Sequence, residues 1–370
     1  MRKLIELSKL TVVGLLALIL VACGGSENTE GKAASTDAAE TIHWKMVTTW
    51  PKNYPGLGTG AEALAKNIKA MSNGRLDIKV YASGELVPAL EVFDAVSRGT
   101  AEMGHSAAYY WKGKVPAAQF FTTVPFGLTA QELNAWIYFG GGLELWEEVY
   151  EPFNLIPMLA GNPGSQMGGW FNKEINSLAD FQGLKMRMPG LGGEVLKKLG
   201  ATPLNLPGGE IFTALQTGTI DATEWVGPYN DLAFGLYKTT KYYYFPGWHE
   251  PGSAVEAIFN KDAFNALPAD LQAIVRTAVR QANLDMISEF TARNNTALET
   301  LLTEHNVDLK PYPQDVIDAL KEASDEVLEK VAANDPQSQK VYDAFKAFLD
   351  SVSKWHDVSE RAFINARADD

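Results

Sequence analysis

The chain has 370 residues, one cysteine and a formal charge of −13 at pH 7, with 45 Asp and Glu against 32 Lys and Arg. An acidic balance of this size disfavours nucleic acid and anionic lipid surfaces, and an anionic ligand would need a local cation to approach. One cysteine excludes an internal disulfide and thiolate metal clusters, so stability rests on packing.

At the N-terminus, Arg2, Lys3 and Lys9 precede an apolar stretch from Leu10 to Ala22, and Leu20-Val21-Ala22-Cys23-Gly24 places small residues around the cysteine. The pattern predicts a lipoprotein signal peptide over 1–22, because the apolar run is too short to span a hydrocarbon core of ~30 Å. Cys23 then becomes the lipidated first residue and no free thiol remains. The segment takes three cations and Glu6 with it, which moves the formal charge from −13 to −15. Residues 23–40 are small and polar and read as a flexible tether to the membrane. About 330 residues follow, more than one core usually serves, so two lobes are expected.

Strand and helix then alternate. Trp44 to Thr49 reads as a strand, Ala61 to Met71 as a helix, Leu76 to Tyr81 as a strand, Pro88 to Arg98 as a helix stopped by Gly99, and Glu102 to Ser106 as a strand. The alternation resumes with strands at Gln166 to Phe171, Leu184 to Met188 and Pro203 to Leu206, and a helix at Gly193 to Leu199. Such units with short Gly/Pro joints imply mainly parallel sheets flanked by helices, in two lobes around a cleft. After Asp262 the pattern is mostly helical, with Asp262 and Asp270 placed as N-caps and Pro268 opening a turn. Val341, Phe345, Phe348, Val352 and Trp355 form a narrow apolar seam on a last helix of ~30 residues, which suits either its own domain or a second copy.

The segment Gly208 to Pro228 concentrates site chemistry. Ile211, Ala214 and Leu215 give a short helix with one buried face, Gly218 sits at its left-handed cap, and a strand-like run then delivers Glu224 and Trp225 before Gly227-Pro228. Open α/β sheets bind ligands at the carboxyl ends of their strands. Arg187 stands near another strand end between Met186 and Met188, where a guanidinium can hold a carboxylate through two parallel hydrogen bonds. The joint Gly161 to Gln166 presents Gln166, and the proline-bracketed run Phe245 to Gly252 brings Glu250. Gly56 to Ala61 fits G-x-G-x-x-A, but Trp50 to Pro55 separates it from the preceding strand, so a helix N-terminus is read there rather than a nucleotide fingerprint. No G-x-S-x-G elbow or His-Glu-x-x-His motif occurs.

Glu210 to Glu224, with Leu184 to Pro189 and Gly200 to Pro203, resembles the solute-binding subunits of TRAP transporters, the DctP family, over Thr41 to about His305. Gln166 to Phe171, Glu224-Trp225 and the extended C-terminal helix resemble its branch that binds 2-oxo acids or lactate with a metal ion. The resemblance implies an α/β fold, a two-lobed periplasmic binding protein of type II-like form with a long C-terminal helical extension. It places lobe I over 41–163 with part of 236–252 returning to it, lobe II over 164–235 with part of 253–305, and a helical extension over 306–370 read as a dimerisation arm. It also implies that Arg187 clamps the ligand carboxylate, Gln166 contacts ligand or metal, and Tyr110 or Tyr109 bonds the ligand. Glu224, the Trp225 carbonyl and Glu250 would hold the cation. Delivery to membrane permease subunits and a homodimer swapped through the last helix follow from the same likeness.

Two glutamates and a monocarboxylate bring three negative charges and Arg187 returns one positive, so burial of all four requires a cation. The proposed donors are oxygens, which suit calcium or sodium, with the residual charge favouring calcium. The expected protein is a periplasmic, lipid-anchored, non-enzymatic binding subunit for a small 2-oxo or 2-hydroxy monocarboxylate such as pyruvate or lactate. The competing readings are a cleft lyase or hydrolase using Glu224 and Glu250 as acid and base, and a sensory subunit reporting to a receptor.

Overall fold

The computed structural model describes residues 40–368, so the expected signal segment, Cys23 and nearly all of the expected tether lie outside the described residues. Eleven strands among them form two sheets, and each sheet organises one half of the structure. The first holds β1 (Ile42–Thr48), β2 (Leu76–Tyr81), β3 (Met103–Ser106), β4 (Leu155–Gly161) and β10 (Val255–Asn260) in the order β2-β1-β3-β10-β4. The second holds β5 (Gly169–Phe171), β6 (Lys185–Arg187), β7 (Thr202–Leu204), β8 (Ala222–Thr223), β9 (Tyr242–Phe245) and β11 (Asp308–Pro311) in the order β11-β9-β5-β8-β6-β7. The strands and helices read from local pattern are present within a few residues. Gly218 has φ +71°, as its place after the helix Gly208–Gln216 requires.

Four expectations need correction. The sheets are mixed rather than mainly parallel: β10 runs antiparallel to β3 and β4, and β5 runs antiparallel to β8 and β9. The returning segments are exchanged, since β9 pairs in the second sheet and β10 in the first. Both differences have one cause, that these strands are reached by crossings between halves and not by local βαβ units. Third, Asn260 is the cap before Lys261–Ala266, its side chain accepting from the Ala263 amide at 3.1 Å, and Pro268 precedes the 35-residue helix Ala269–Thr303. Asp262 and Asp270 are instead the second residues of these helices, inside the first turn, where the helix dipole favours a carboxylate. Fourth, 306–370 is not wholly helical, because β11 extends the second sheet.

The final helical region divides into Pro336–Val358, capped by Asp335, and Glu360–Arg367. Its seam is satisfied only at one end. Val341 and Phe345 are buried, Phe345 meeting Trp136 edge-on at 5.2 Å, whereas Trp355 is 65% exposed. No helix of the described residues is long and apolar enough to cross a membrane.

The topology fixes where the functional side chains must fall. Strands β6, β8 and β9 run in the same sense, so Arg187, Glu224 and the turn carrying Glu250 leave one edge of the second sheet, and Gln166 enters β5 at that edge. Tyr109 and Tyr110 follow β3 at the carboxyl edge of the first sheet.

Candidate functional site: a buried arginine and two carboxylates

Arg187, the last residue of β6, has no solvent exposure. Its Nε donates to the Leu206 carbonyl at 3.2 Å, one terminal nitrogen donates to Glu224 Oε1, and the other donates to the Tyr110 hydroxyl at 3.2 Å. A guanidinium carries five N–H groups, so one on each terminal nitrogen remains without a protein acceptor. Burial opposes the charge of Arg187, but Glu224 and the two tyrosines outweigh it and hold its pKa above the ordinary value. The Trp225 indole lies 5.1 Å from the guanidinium carbon, an arrangement worth up to about 2 kcal/mol when desolvated.

Glu224 leaves β8 with its amide bonded to the Arg187 carbonyl at 3.2 Å, and its side chain is fully buried. Oε1 meets Arg187, while Oε2 has no hydrogen-bond partner among the described residues. Glu250 accepts from Gln166 Nε2 at 2.6 Å and from the Ser253 hydroxyl. Burial and then the charge of Glu224 push the Glu250 carboxyl up to about 8, against the pull of Ser253 and Arg187. Ionisation of Glu250 at neutral pH is therefore opposed unless further positive charge is supplied.

All the residues expected at the site are brought together. Tyr110 faces Arg187 directly, and Tyr109 packs against the Tyr110 ring at 4.7 Å with its amide bonded to Thr122. Gln166 is tied to Glu250 by backbone as well as side chain, its amide donating to the Glu250 carbonyl at 3.0 Å. Gly208 matters to Trp225, because a Cβ there would lie 2.5 Å from the indole.

The sequence reading missed three participants. Both ring nitrogens of buried His249 lack hydrogen bonds among the described residues, and Nε2 lies 3.6 Å from Glu224 Oε2. Ser253 anchors Glu250, and Asn162 Oδ1 accepts from the Ser253 amide at 3.2 Å. His249 and Ser253 stand within three residues of Glu250, and Asn162 lies in the joint that presents Gln166, which was the one signal available for each. The tight turn in which the Glu250 amide meets the Gly247 carbonyl at 3.1 Å brings His249 and Glu250 to the same cluster.

The arrangement suits a cation. One ligand atom each from Glu224, His249 and Glu250 fall within 4.8 Å of one another, and Gln166 Oε1 is a further buried acceptor without a donor. Carboxylate and amide oxygens dominate, as a hard cation prefers, although His249 adds a nitrogen to a set expected to be oxygen alone. A bound cation would supply the positive charge that favours ionised Glu250 and would offer an acid ligand a second point of attachment beside Arg187.

Comparison with known proteins agrees with this chemistry. The family model for bacterial extracellular solute-binding protein, family 7 (DctP), matches residues 46–335. A monocarboxylate 2-oxoacid-binding periplasmic protein of Nostoc sp. is 45% identical over 361 residues, 97% of each chain. A TRAP periplasmic solute-binding protein of Pseudoalteromonas atlantica, solved with bound sodium and pyruvate, is 44% identical with a TM-score of 0.86, covering 88% of this chain and 99% of that one. Another, from Colwellia psychrerythraea with bound calcium and pyruvate, is 45% identical with a TM-score of 0.86, covering 88% and 100%.

Proposed function

This chain belongs to the bacterial extracellular solute-binding proteins of family 7, the DctP family, and from that premise we propose that it captures a small 2-oxo or 2-hydroxy monocarboxylate, pyruvate or lactate, together with calcium or sodium. The observation that carries the proposal is the pairing of unfilled groups in one buried cluster: N–H groups of Arg187 without acceptors beside Glu224 and Gln166 oxygens without donors and His249 nitrogens without partners, among the described residues. Neither set satisfies the other, and an anion plus a cation satisfies both.

In this reading the two remaining Arg187 N–H groups take the ligand carboxylate in parallel. Tyr110 accepts from Arg187, which leaves its own O–H to donate; burial raises the pKa of Tyr110 and keeps that proton in place. Tyr109 shapes the wall behind it. Glu224 Oε2, Glu250, Gln166 Oε1 and the Trp225 carbonyl would hold the cation. Ligand and cation touch residues from both halves, so occupancy favours the shut arrangement by the difference in contact energy. The loaded protein then presents its cargo to TRAP membrane permease subunits without altering it.

Two assembly features belong to the same proposal. Cys23 would carry the lipid that keeps the protein at the membrane face of the periplasm. The exposed residues Trp355, Val358, Phe363 and Ile364, 50–73% accessible, support packing of the last helices on a second copy as a homodimer. Light scattering on a Trp355→Asp chain would then report a monomer.

The central test is calorimetric titration of pyruvate and lactate in calcium, followed by NMR of the recovered ligand. Saturable binding with unchanged ligand is expected. Absence of binding overturns the assignment, and turnover would transfer Glu224 and Glu250 to an acid–base role.

A further inference from the structure

Away from the buried cluster, a groove of about 630 Å3 opens between the Lys112–Gln119 segment of the first half and two helices of the second, Gly190–Lys198 and Gln314–Ala332. The groove straddles the halves. Lys112 crosses it, donating to the Gly190 carbonyl at 3.0 Å and to Glu194 at 2.7 Å. Lys112 lies two residues beyond Tyr110, and Gly190 three beyond Arg187, so this bridge joins the two segments that meet in the site.

Its charge runs against that of the chain. Lys112, Lys197, Lys198 and Lys330 line it with only Glu194 and Glu326 as counter-charges, in a protein of formal charge −13. Lys198 is paired with Glu326 at 2.6 Å, and Lys197 and Lys330 make no ion pair among the described residues. With a Debye length of about 8 Å at physiological salt, a partner at the groove responds to this local excess rather than to the whole chain.

Gln119 narrows the occupant. It is 4% exposed and lines the groove; its Nε2 donates to the Pro116 carbonyl at 3.0 Å, which fixes the amide orientation, and Oε1 has no partner. A simple carboxylate satisfies lysines and offers no N–H or O–H to a buried acceptor. An acidic peptide offers both carboxylates and backbone N–H groups.

We propose that this lysine-lined groove docks an acidic segment of the membrane partner, and that it is complete only while Lys112 bridges to Glu194. The proposal rests on the capture-and-close reading above, and gives the closed protein a surface by which a loaded subunit is distinguished from an empty one.

The test uses the full chain and fluorescence anisotropy of a labelled glutamate–serine repeat peptide, with the glutamine–serine repeat as control. With pyruvate and calcium present, the acidic peptide should bind and the control should not. Omitting pyruvate and calcium should weaken binding at least about tenfold, as should the double variant Lys197→Glu, Lys330→Glu. The same variant should keep the wild-type pyruvate titration, because neither lysine reaches the buried cluster. Peptide binding indifferent to the variant, equal in open and closed protein, or displaced by citrate at matched charge would overturn the groove assignment. Loss of pyruvate binding by the wild type would instead sink the capture reading, and the comparison of wild type with the double variant would still decide whether the groove takes the peptide.

Discussion

Glu224 and Asp231 are seven residues apart, both buried, and they have opposite hydrogen-bonding fates. Asp231 accepts from Trp170 Nε1 at 2.9 Å, from the Tyr243 hydroxyl at 2.7 Å and from the Val226 amide at 3.3 Å, so each oxygen is met by a neutral donor of the protein. Glu224 has a full cationic partner on one oxygen and no hydrogen bond on the other among the described residues, and its neighbours Gln166 and His249 are also incomplete. Burial by itself does not mark a binding site. What separates a structural acid from a functional one here is whether the fold supplies the partners, since an unmet buried polar atom costs roughly 1–3 kcal/mol and persists where a ligand returns it.

The largest break in this contrast comes from Arg187→Ala. It removes the ligand clamp and leaves Glu224 buried beside Glu250 without a fixed cation, a loss on the scale of about 3–5 kcal/mol for breaking a buried pair. Calorimetry with pyruvate in calcium should show affinity reduced by more than about a hundredfold. Unchanged affinity would move the clamp elsewhere. Withdrawing the cation comes next. With ligand at a hundred times its dissociation constant, stabilisation of the native state is about 2.7 kcal/mol. Chelator in sodium-free buffer should abolish most of the resulting rise in Tm for the wild type.

Much of the site was legible in the sequence because its key residues stand at strand ends marked by local punctuation, whereas Asp231 carries no such mark. Arg187 precedes Met188-Pro189, Glu224-Trp225 precede Val226-Gly227-Pro228, and Glu250 precedes Pro251-Gly252. What could not be read was non-local. The exchange of β9 and β10 between halves depends on pairing partners far from them along the chain, as with Ala257 opposite His105. His249, Ser253 and Asn162 reach the site through a turn and a side-chain bond that no periodicity signals. The apolar seam gave the last helix but not its break at Ser359, nor that only Val341 and Phe345 would be buried.

Gly208→Ala sharpens the comparison on the Glu224 side with an intermediate effect. Glycine to alanine in a helix ordinarily stabilises, by up to about 1 kcal/mol. At Gly208 the new Cβ would meet the Trp225 indole at 2.5 Å, and overpacking of that kind costs about 1–3 kcal/mol. Because the indole covers Arg187, pyruvate affinity should fall about tenfold along with Tm. Gly209→Ala, where a Cβ meets nothing within 4 Å, is the matched control and should leave both unchanged or slightly improved. Equal behaviour of the two variants would show that Trp225 is free to move without consequence for Arg187.

Asp231→Asn probes the satisfied acid and should have the smallest effect. Burial lifts the Asp231 carboxyl to about 7, against the lowering pull of Tyr243, Trp170 and Val226. The unfolded value is about 3.9, so between pH 4 and 7 the folded chain holds a proton that the unfolded chain has lost. Stability from this group is therefore fully present below about pH 4 and declines as pH rises toward 7, by at most about 1.4 kcal/mol per pH unit. Asparagine cannot titrate and presents its amide to one of the three donors, so the variant should melt below wild type at pH 4–5 by about 1 kcal/mol equivalent. The gap should then narrow or reverse by pH 8, while pyruvate and calcium binding stay near wild type. A gap that does not change with pH would mean that the three donors keep Asp231 ionised throughout, and the two buried acids would then differ in their partners but not in their charge.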